Sequence, residues 1–262
     1  MLAALMDLAR QGRRPTQTEI VFAALVDEES GQGGSRFLAR RGFKADLAIV
    51  GEPTRLKVVT AHKGDLWLQL ETRGTAAHGA RPELGRNAVH AMAKIVDLLE
   101  THYAALLHRR RHPLLRHPTI NVGAISGGRQ PNIVPDRCTI QIDRRTIPGE
   151  KDAAVKREIL RFVRDRGFHA TLVDTKGEEP APPLETDSRR PLVREFLRCA
   201  GQSKPAGVDF FSDAGVLAAA GIPSVVFGPG DIAQAHTVDE WVALNQLERG
   251  MKILSRFFAS LP

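Results

Sequence analysis

Glu28 and Glu29 stand side by side in the sequence, and Glu52 and His236 follow further along. All four have side chains that can bind a metal or move a proton. Three carboxylates and one imidazole make a hard-to-borderline donor set, suited to zinc, cobalt or manganese. Two adjacent glutamates can divide the work, one ligating a metal while the other takes a proton from metal-bound water. Taken singly, each has a plainer reading. A Glu-Glu pair in a loop is usually solvated surface, and a lone histidine is more often structural than a ligand.

What unites the four is their place relative to apolar runs. Thr18 to Val26 (TEIVFAALV) reads as a buried parallel strand and leads into Asp27-Glu28-Glu29. Asp46 to Val50 (DLAIV) is a second such run, ending at Gly51-Glu52. Pro223 to Phe227 (PSVVF) is a third, running through Gly228-Pro229-Gly230 towards His236. In open α/β sheets, sites form beyond the carboxyl ends of strands.

The remaining elements divide the chain in two. The chain opens in helical spacing through Leu2, Leu5, Met6 and Leu8, and a short helix is expected through Phe37 to Ala39. From about residue 58 the texture changes. Leu66, Leu68 and Leu70 alternate with Trp67, Gln69 and Glu71 as in a half-exposed strand, and Asn87 to Leu107 carries an amphipathic helical stripe. Thr119 to Ile125 and Cys138 to Ile142 read as strands, Asp152 to Arg166 as a helix and His169 to Val173 as a strand. That order, β-α-β-β-α-β, is ferredoxin-like. It predicts an inserted domain over 58–177 within a domain built from 1–57 and 178–262. Helices are expected over Pro191 to Ala200, Ser212 to Ala220 and Asn245 to Leu261.

Composition narrows the class. The 262 residues carry 37 lysines and arginines against 30 acidic residues, a net +7, yet aromatic residues are only 5%. Stacking platforms for nucleic acid are therefore scarce, and the densest basic run, His108 to His112, reads as a solvated helix end or loop. Cys138 and Cys199 lie far apart without C-x-x-C spacing, so no disulfide framework or thiolate zinc site follows. There is no signal-peptide pattern and no apolar stretch long enough to cross a membrane. A cytoplasmic location is expected.

Seven stretches, in order, resemble one family: VDEESG at 26–31, VGEPT at 50–54, RGTAAHGARPELGRNAV at 73–89, NVGAISGG at 121–128, PNIVPDRCTIQIDRR at 131–145, FFSDAG at 210–215 and VVFGPGDIAQAHTVDEW at 225–241. The family is that of the dinuclear zinc amidohydrolases and exopeptidases, which includes acetylornithine deacetylase, succinyl-diaminopimelate desuccinylase, carboxypeptidase G and aminoacylase. The resemblance implies an α/β fold: a zinc-exopeptidase-like catalytic domain with an inserted ferredoxin-like α+β dimerisation (lid) domain. It implies hydrolysis of small N-acyl amino acids, two divalent ions (zinc or cobalt) and a homodimer formed through the insert.

The resemblance also implies roles. Glu28 would match the general base. Glu29, Glu52 and His236 would match metal ligands. His78 would match a histidine that reaches into the partner's site and stabilises the developing oxyanion; its plainer reading is a residue of the Ala76 to Gly79 turn at a helix start. Asn132 and Arg145 would match residues holding the substrate, the arginine through its planar fork on a carboxylate. Arg144 points to the other strand face and reads as a salt-bridged or solvated residue. Gly228 would leave the backbone open beside the site. Asp209 and Asp213 stay outside the catalytic set, Asp213 as a helix cap. Asp239 and Glu240 read as the acidic first turn of a helix.

Two family motifs are absent, a strand-end His-x-Asp and the stretch with the aspartate that bridges both metals. The expectation is a catalytic domain incomplete at its amino terminus, offering three ligands for two ions, with partial metal occupancy at most and impaired hydrolysis. The competing expectation is a non-catalytic dimerising relative or fragment that acts as a binding protein.

Overall fold

The computed structural model describes residues 1–173 and 179–262. They divide into two compact units, Met1–His62 with Ala181–Pro262, and Lys63–Pro180. The sequence-based boundaries fall at 57/58 and 177/178; residues 177 and 178 lie outside the described residues.

In the first unit, α1 (Leu2–Arg10), α2 (Gly33–Arg40), β1 (Ala48–Val50) and β2 (Val59–His62) precede the insertion. The second unit contributes β3 (Gly64–Arg73), α3 (Ala88–Leu98), α4 (Ala104–Leu107), β4 (Thr119–Gly127), β5 (Arg137–Thr146), α5 (Asp152–Arg164) and β6 (Thr171–Val173). The chain returns to the first unit through β7 (Leu184–Glu185), α6 (Pro191–Cys199), β8 (Ala206–Val208), α7 (Asp213–Ala219), β9 (Ser224–Val226) and α8 (Leu244–Ala259).

The first unit's sheet is mixed, in the order β1-β9-β2-β7 with β8 also on β2. β1 and β9 run parallel, with Ile49 opposite Val225. β9 is buried throughout, and its alternating side chains feed two cores. Val225 joins Leu8, Phe196 and Phe257 in one core, while Val226 joins Val59, Leu184 and Ala214 in another. The flanking segments supply these cores from α1, α6 and α8 on one side and α7 on the other.

The run Thr18 to Val26 forms no strand. Among the described residues no strand pairs with it, and Val21, Phe22 and Val26 are 55%, 49% and 65% exposed. Its composition suits a pleated, half-buried surface, but a strand also needs a neighbour for its backbone groups, and β1 takes its hydrogen bonds from β9 instead.

The second unit's sheet is antiparallel, in the order β4-β5-β3-β6. Sequence and topology together make it ferredoxin-like. Leu66, Leu68, Leu70, Ile140 and Ile142 turn to one face and bury against Met92 and Ile95 of α3 and Val155 and Ile159 of α5. Asn87 caps α3 by accepting from the His90 backbone N–H at 3.0 Å. The expected single helix over Asn87 to Leu107 is divided by a π-helical turn at Leu99–Tyr103. Leu99, Tyr103 and Leu107 still bury at intervals of four, so the wide turn preserves the apolar stripe.

Arg144 shares the buried face and is 0% exposed. Its guanidinium donates to Glu150 at 2.7 Å and to the Arg145 carbonyl. In the basic run after α4, Arg110 is also tied down, donating to Glu150 and Glu158, while Arg109 and Arg111 are exposed as expected.

Candidate active site

The Glu28-Glu29 pair sits on a single 3-10 turn, Glu28–Ser30. Asp27 (φ 62°), Gly31 (φ 93°) and Gln32 (φ 60°) hold left-handed backbone on either side, so the chain reverses sharply around the two carboxylates. The turn is closed by the Gln32 N–H on the Asp27 carbonyl at 2.6 Å and the Gly34 N–H on the Val26 carbonyl at 3.0 Å. Only glycine fits at Gly34, where a Cβ would sit 2.6 Å from the Val26 nitrogen.

Glu52 lies two residues past the end of β1, and Gly228 two residues past the end of β9. The parallel pairing of β1 with β9 therefore brings the two together. Gly228 accepts from the backbone N–H groups of Thr54 (3.2 Å) and Leu56 (3.0 Å) and donates to Thr54 Oγ1 (3.1 Å). A Cβ at Gly228 would stand 2.5 Å from the Glu52 carbonyl oxygen. The glycine is thus required for close backbone packing that seats Glu52, a reason different from the open approach expected from sequence.

His236 adopts φ 61°, and its Nε2 lies 3.1 Å from Glu29 Oε1. Its backbone N–H donates to Glu240 at 3.2 Å. Glu240 therefore steadies the histidine loop rather than opening a helix, since α8 begins at Leu244.

A further carboxylate belongs to the cluster. Asp213 is 6% exposed at the start of α7, and its Oδ1 accepts from Ser35 Oγ at 2.6 Å. Capping falls to Ser212, whose side chain accepts from the Ala214 N–H. One sequence signal could have found Asp213. The helix behind it, AGVLAAA, is apolar all round and so must be buried, which leaves its leading carboxylate no solvent to face.

The electrostatics follow from the proximity of these groups. Burial pushes the Glu28 carboxyl up to about 7, helped by the charges of Glu29 and Asp213 and opposed by His236. Burial likewise pushes Glu52 up to about 7, with Glu28, Asp213 and Glu29 adding to the effect. Like charges crowded together resist ionisation, and a divalent cation among them would relieve that repulsion. The donor chemistry fits such an ion, and the 3.1 Å between Glu29 and His236 suits two ligands of one ion. Among the described residues, however, no three His, Cys, Asp or Glu side chains converge as a metal site.

In the second unit, His78 and Asn132 come together. His78 bridges to Ile133, and the Gly79 N–H donates to the Asn132 carbonyl at 2.7 Å. No helix begins at His78; α3 starts at Ala88. The exposed His78 ring accepts from the Ala80 N–H at Nδ1 (3.1 Å), so its neutral form carries the proton on Nε2. A cleft of about 520 Å³, lined by Gly79, Arg129, Ile133 and Pro135, opens beside these loops. Arg145 is not with them. It lies on the helix-free face at the far end of β5, held by Asp143 at 2.8 Å and Asp65 at 3.5 Å. The eight steps of strand from Arg137 to Arg145 span about 27 Å.

A mixed α/β unit with clustered carboxylates beyond its strand ends, interrupted by a ferredoxin-like unit, defines a zinc-exopeptidase-like architecture. Residues 60–171 match the peptidase dimerisation domain of the M20 family. The chain is 34% identical over 248 residues to an acetylornithine deacetylase of Myxococcus xanthus, covering 92% of this chain and 64% of that protein. It is 31% identical to the acetylornithine deacetylase of Proteus mirabilis, covering 90% and 62%. The chain thus spans less than two thirds of these relatives' length. Aminopeptidase PepT of Bacillus cereus superposes with a TM-score of 0.75 at 25% identity, over 98% of this chain and 67% of that one. An M20 metallo-carboxypeptidase of Sulfolobus solfataricus gives 0.70 at 18%, over 98% and 73%, a likeness of fold. Residues 60–171 thus carry the M20 peptidase dimerisation domain, and over most of its length the chain is similar to M20 amidohydrolases and exopeptidases.

Proposed function

We propose that the chain carries the machinery for cation-dependent hydrolysis of an N-acyl amino acid, in the manner of an acetylornithine deacetylase, as a soluble cytoplasmic homodimer. The observation that carries this reading is the gathering of Glu28, Glu29, Glu52, Asp213 and His236 in one cluster of carboxylates and an imidazole.

Glu29, Glu52 and His236 would hold the ion, zinc or cobalt, and Asp213 lies among them as a further carboxylate. A bound divalent cation supplies Lewis acidity to the amide carbonyl and to water. Glu28, half-buried beside these groups, is placed to accept a proton from water and pass it to the leaving amine. His78, with its proton on Nε2, would donate to the carbonyl oxygen as charge develops there. Asn132 and Arg145 would hold the substrate. About 27 Å of strand separates the two ends of β5, too far for both residues to touch one small molecule within one chain. That separation supports a dimer in which His78 and Asn132 serve the partner's site.

With three expected ligand positions, Glu29, Glu52 and His236, for two ions, this reading expects partial occupancy and slow turnover of this polypeptide. Ornithine release from N-acetyl-L-ornithine is expected to depend on added zinc or cobalt, to stay below about 1 per second and to disappear in Glu28→Gln. Release that needs neither cation nor Glu28 overturns the reading. Among the described residues no three metal-binding side chains converge, which favours a second reading, a dimerising binding protein. Tight N-acetylornithine binding with no cation-dependent release would select it.

A further inference from the structure

On the helix-free face of the second unit's sheet, Asp65 stands opposite Arg145 and Trp67 opposite Asp143. Two carboxylates thereby share one guanidinium. Arg145 lies 2.8 Å from Asp143 Oδ2 but 3.5 Å from Asp65 Oδ2. Asp65 is only 7% exposed, and Asp65 and Asp143 each keep a buried Oδ1 without a hydrogen-bond partner among the described residues.

Buried acceptors are rarely left unpaired, and two ionised carboxylates can only accept. A proton on Asp65 changes that, because the neutral carboxyl donates to Asp143. Burial is the largest influence on Asp65 and, with the Asp143 charge, holds its carboxyl up at about 6 against the lowering effects of Arg145 and the Trp67 indole N–H. The charged groups facing it are Arg145 and Asp143 of β5, with buried Lys63 two residues upstream. β4 brings only Thr119 and Asn121 alongside Arg145 and Asp143, and neither titrates; β6 pairs further along β3, at 69–71.

We propose that Asp65 is a proton-linked positioning residue for Arg145: ionised, it restrains the guanidinium, and on taking up a proton from solvent it yields Arg145 to the carboxylate of an incoming ligand. The proposal rests on the reading that Arg145 grips a substrate carboxylate. Asp65 yields rather than Asp143 for three reasons. Its contact with Arg145 is the longer, it is the more buried, and its proton finds an acceptor in Asp143. The exchange balances, since the ligand's negative charge enters as the Asp65 charge is neutralised.

The competent fraction falls as Asp65 ionises, so apparent affinity falls with it. The Kd for N-acetyl-L-ornithine is expected to weaken roughly tenfold per pH unit above about pH 6.5. Calorimetry at pH 7.5 in buffers of different ionisation heat should show close to one proton taken up per ligand bound. Asp65→Asn should bind with no proton uptake and a flat pH profile, and Asp65→Glu should restore the slope. Trp67 reports the ligand-free state. In Trp241→Phe its emission should titrate near pH 6 and cease to do so once Asp65→Asn is added. Proton uptake that is absent in the parent protein, or equal in Asp65→Asn, overturns the proposal and leaves the Arg145 reading intact. Binding unchanged in Arg145→Ala, or no carboxylate binding at any pH, overturns both.

Discussion

Gly228 and Glu52 act as one structural feature although 176 positions separate them, because the glycine's missing side chain is what lets the Glu52 backbone approach. Gly228→Ala places a methyl 2.5 Å from the Glu52 carbonyl oxygen, a distance that forces backbone movement. The expected result is at least a tenfold loss of zinc or cobalt affinity by calorimetry, with thermal stability reduced far less than by a core truncation. Glu29→Gln and His236→Ala should each weaken cation binding as well, because each removes one arm of the 3.1 Å pair. Asp65 has a signature in stability. Its folded value of about 6 lies above the unfolded value near 4, so the fold favours the protonated form. That contribution is fully present below about pH 4, declines as pH rises and is gone above about pH 6. The stability of Asp65→Asn relative to the parent should therefore rise between pH 4 and pH 8, by on the order of 2 kcal/mol in denaturant titrations.

The strands and helices were mostly legible because their side-chain periods match their burial. Leu66, Leu68 and Leu70 alternate on the page and bury alternately in β3. Val155, Ile159 and Phe162 repeat at helical spacing and line α5. The segment Thr18 to Val26 misled for the converse reason: an apolar run shows what could pair, and pairing depends on a partner. The short strands β2, β7 and β8 were invisible because two to four residues carry no readable period. Arg144 illustrates what an element demands. It interrupts an apolar strand face, and the fold accepts it only by pairing it with Glu150, which also binds Arg110. Breaking a buried pair costs about 3–5 kcal/mol. Arg144→Ala should fall near the lower end, since Glu150 keeps Arg110, as read by urea denaturation.

At the scale of the whole molecule, the second unit is a continuous stretch of chain with its own sheet, two long helices and its own core. Residues 63–180 expressed alone should unfold in a single cooperative transition, followed by circular dichroism; a gradual, non-cooperative melt would refute this. The first unit exposes Val21, Phe22 and Val26 in one segment outside any strand. Exposed apolar side chains invite association, so Val21→Lys with Phe22→Lys should raise the concentration at which light scattering appears, while stability shifts by no more than about 0.5 kcal/mol. The sequence by itself carried the family resemblance, the ferredoxin-like order of the insert and the choice of Glu28, Glu29, Glu52 and His236 as candidates, because these reside in residue types, their order and local periodicity. Only the tertiary structure decided that Asp213 joins the carboxylates, that Gly228 seats Glu52, that Arg145 stands at the opposite end of β5 from Asn132 and that Asp65 competes for its guanidinium. Each of those depends on strand pairing and close approach between distant segments, and distance in space is set by packing rather than by position along the chain.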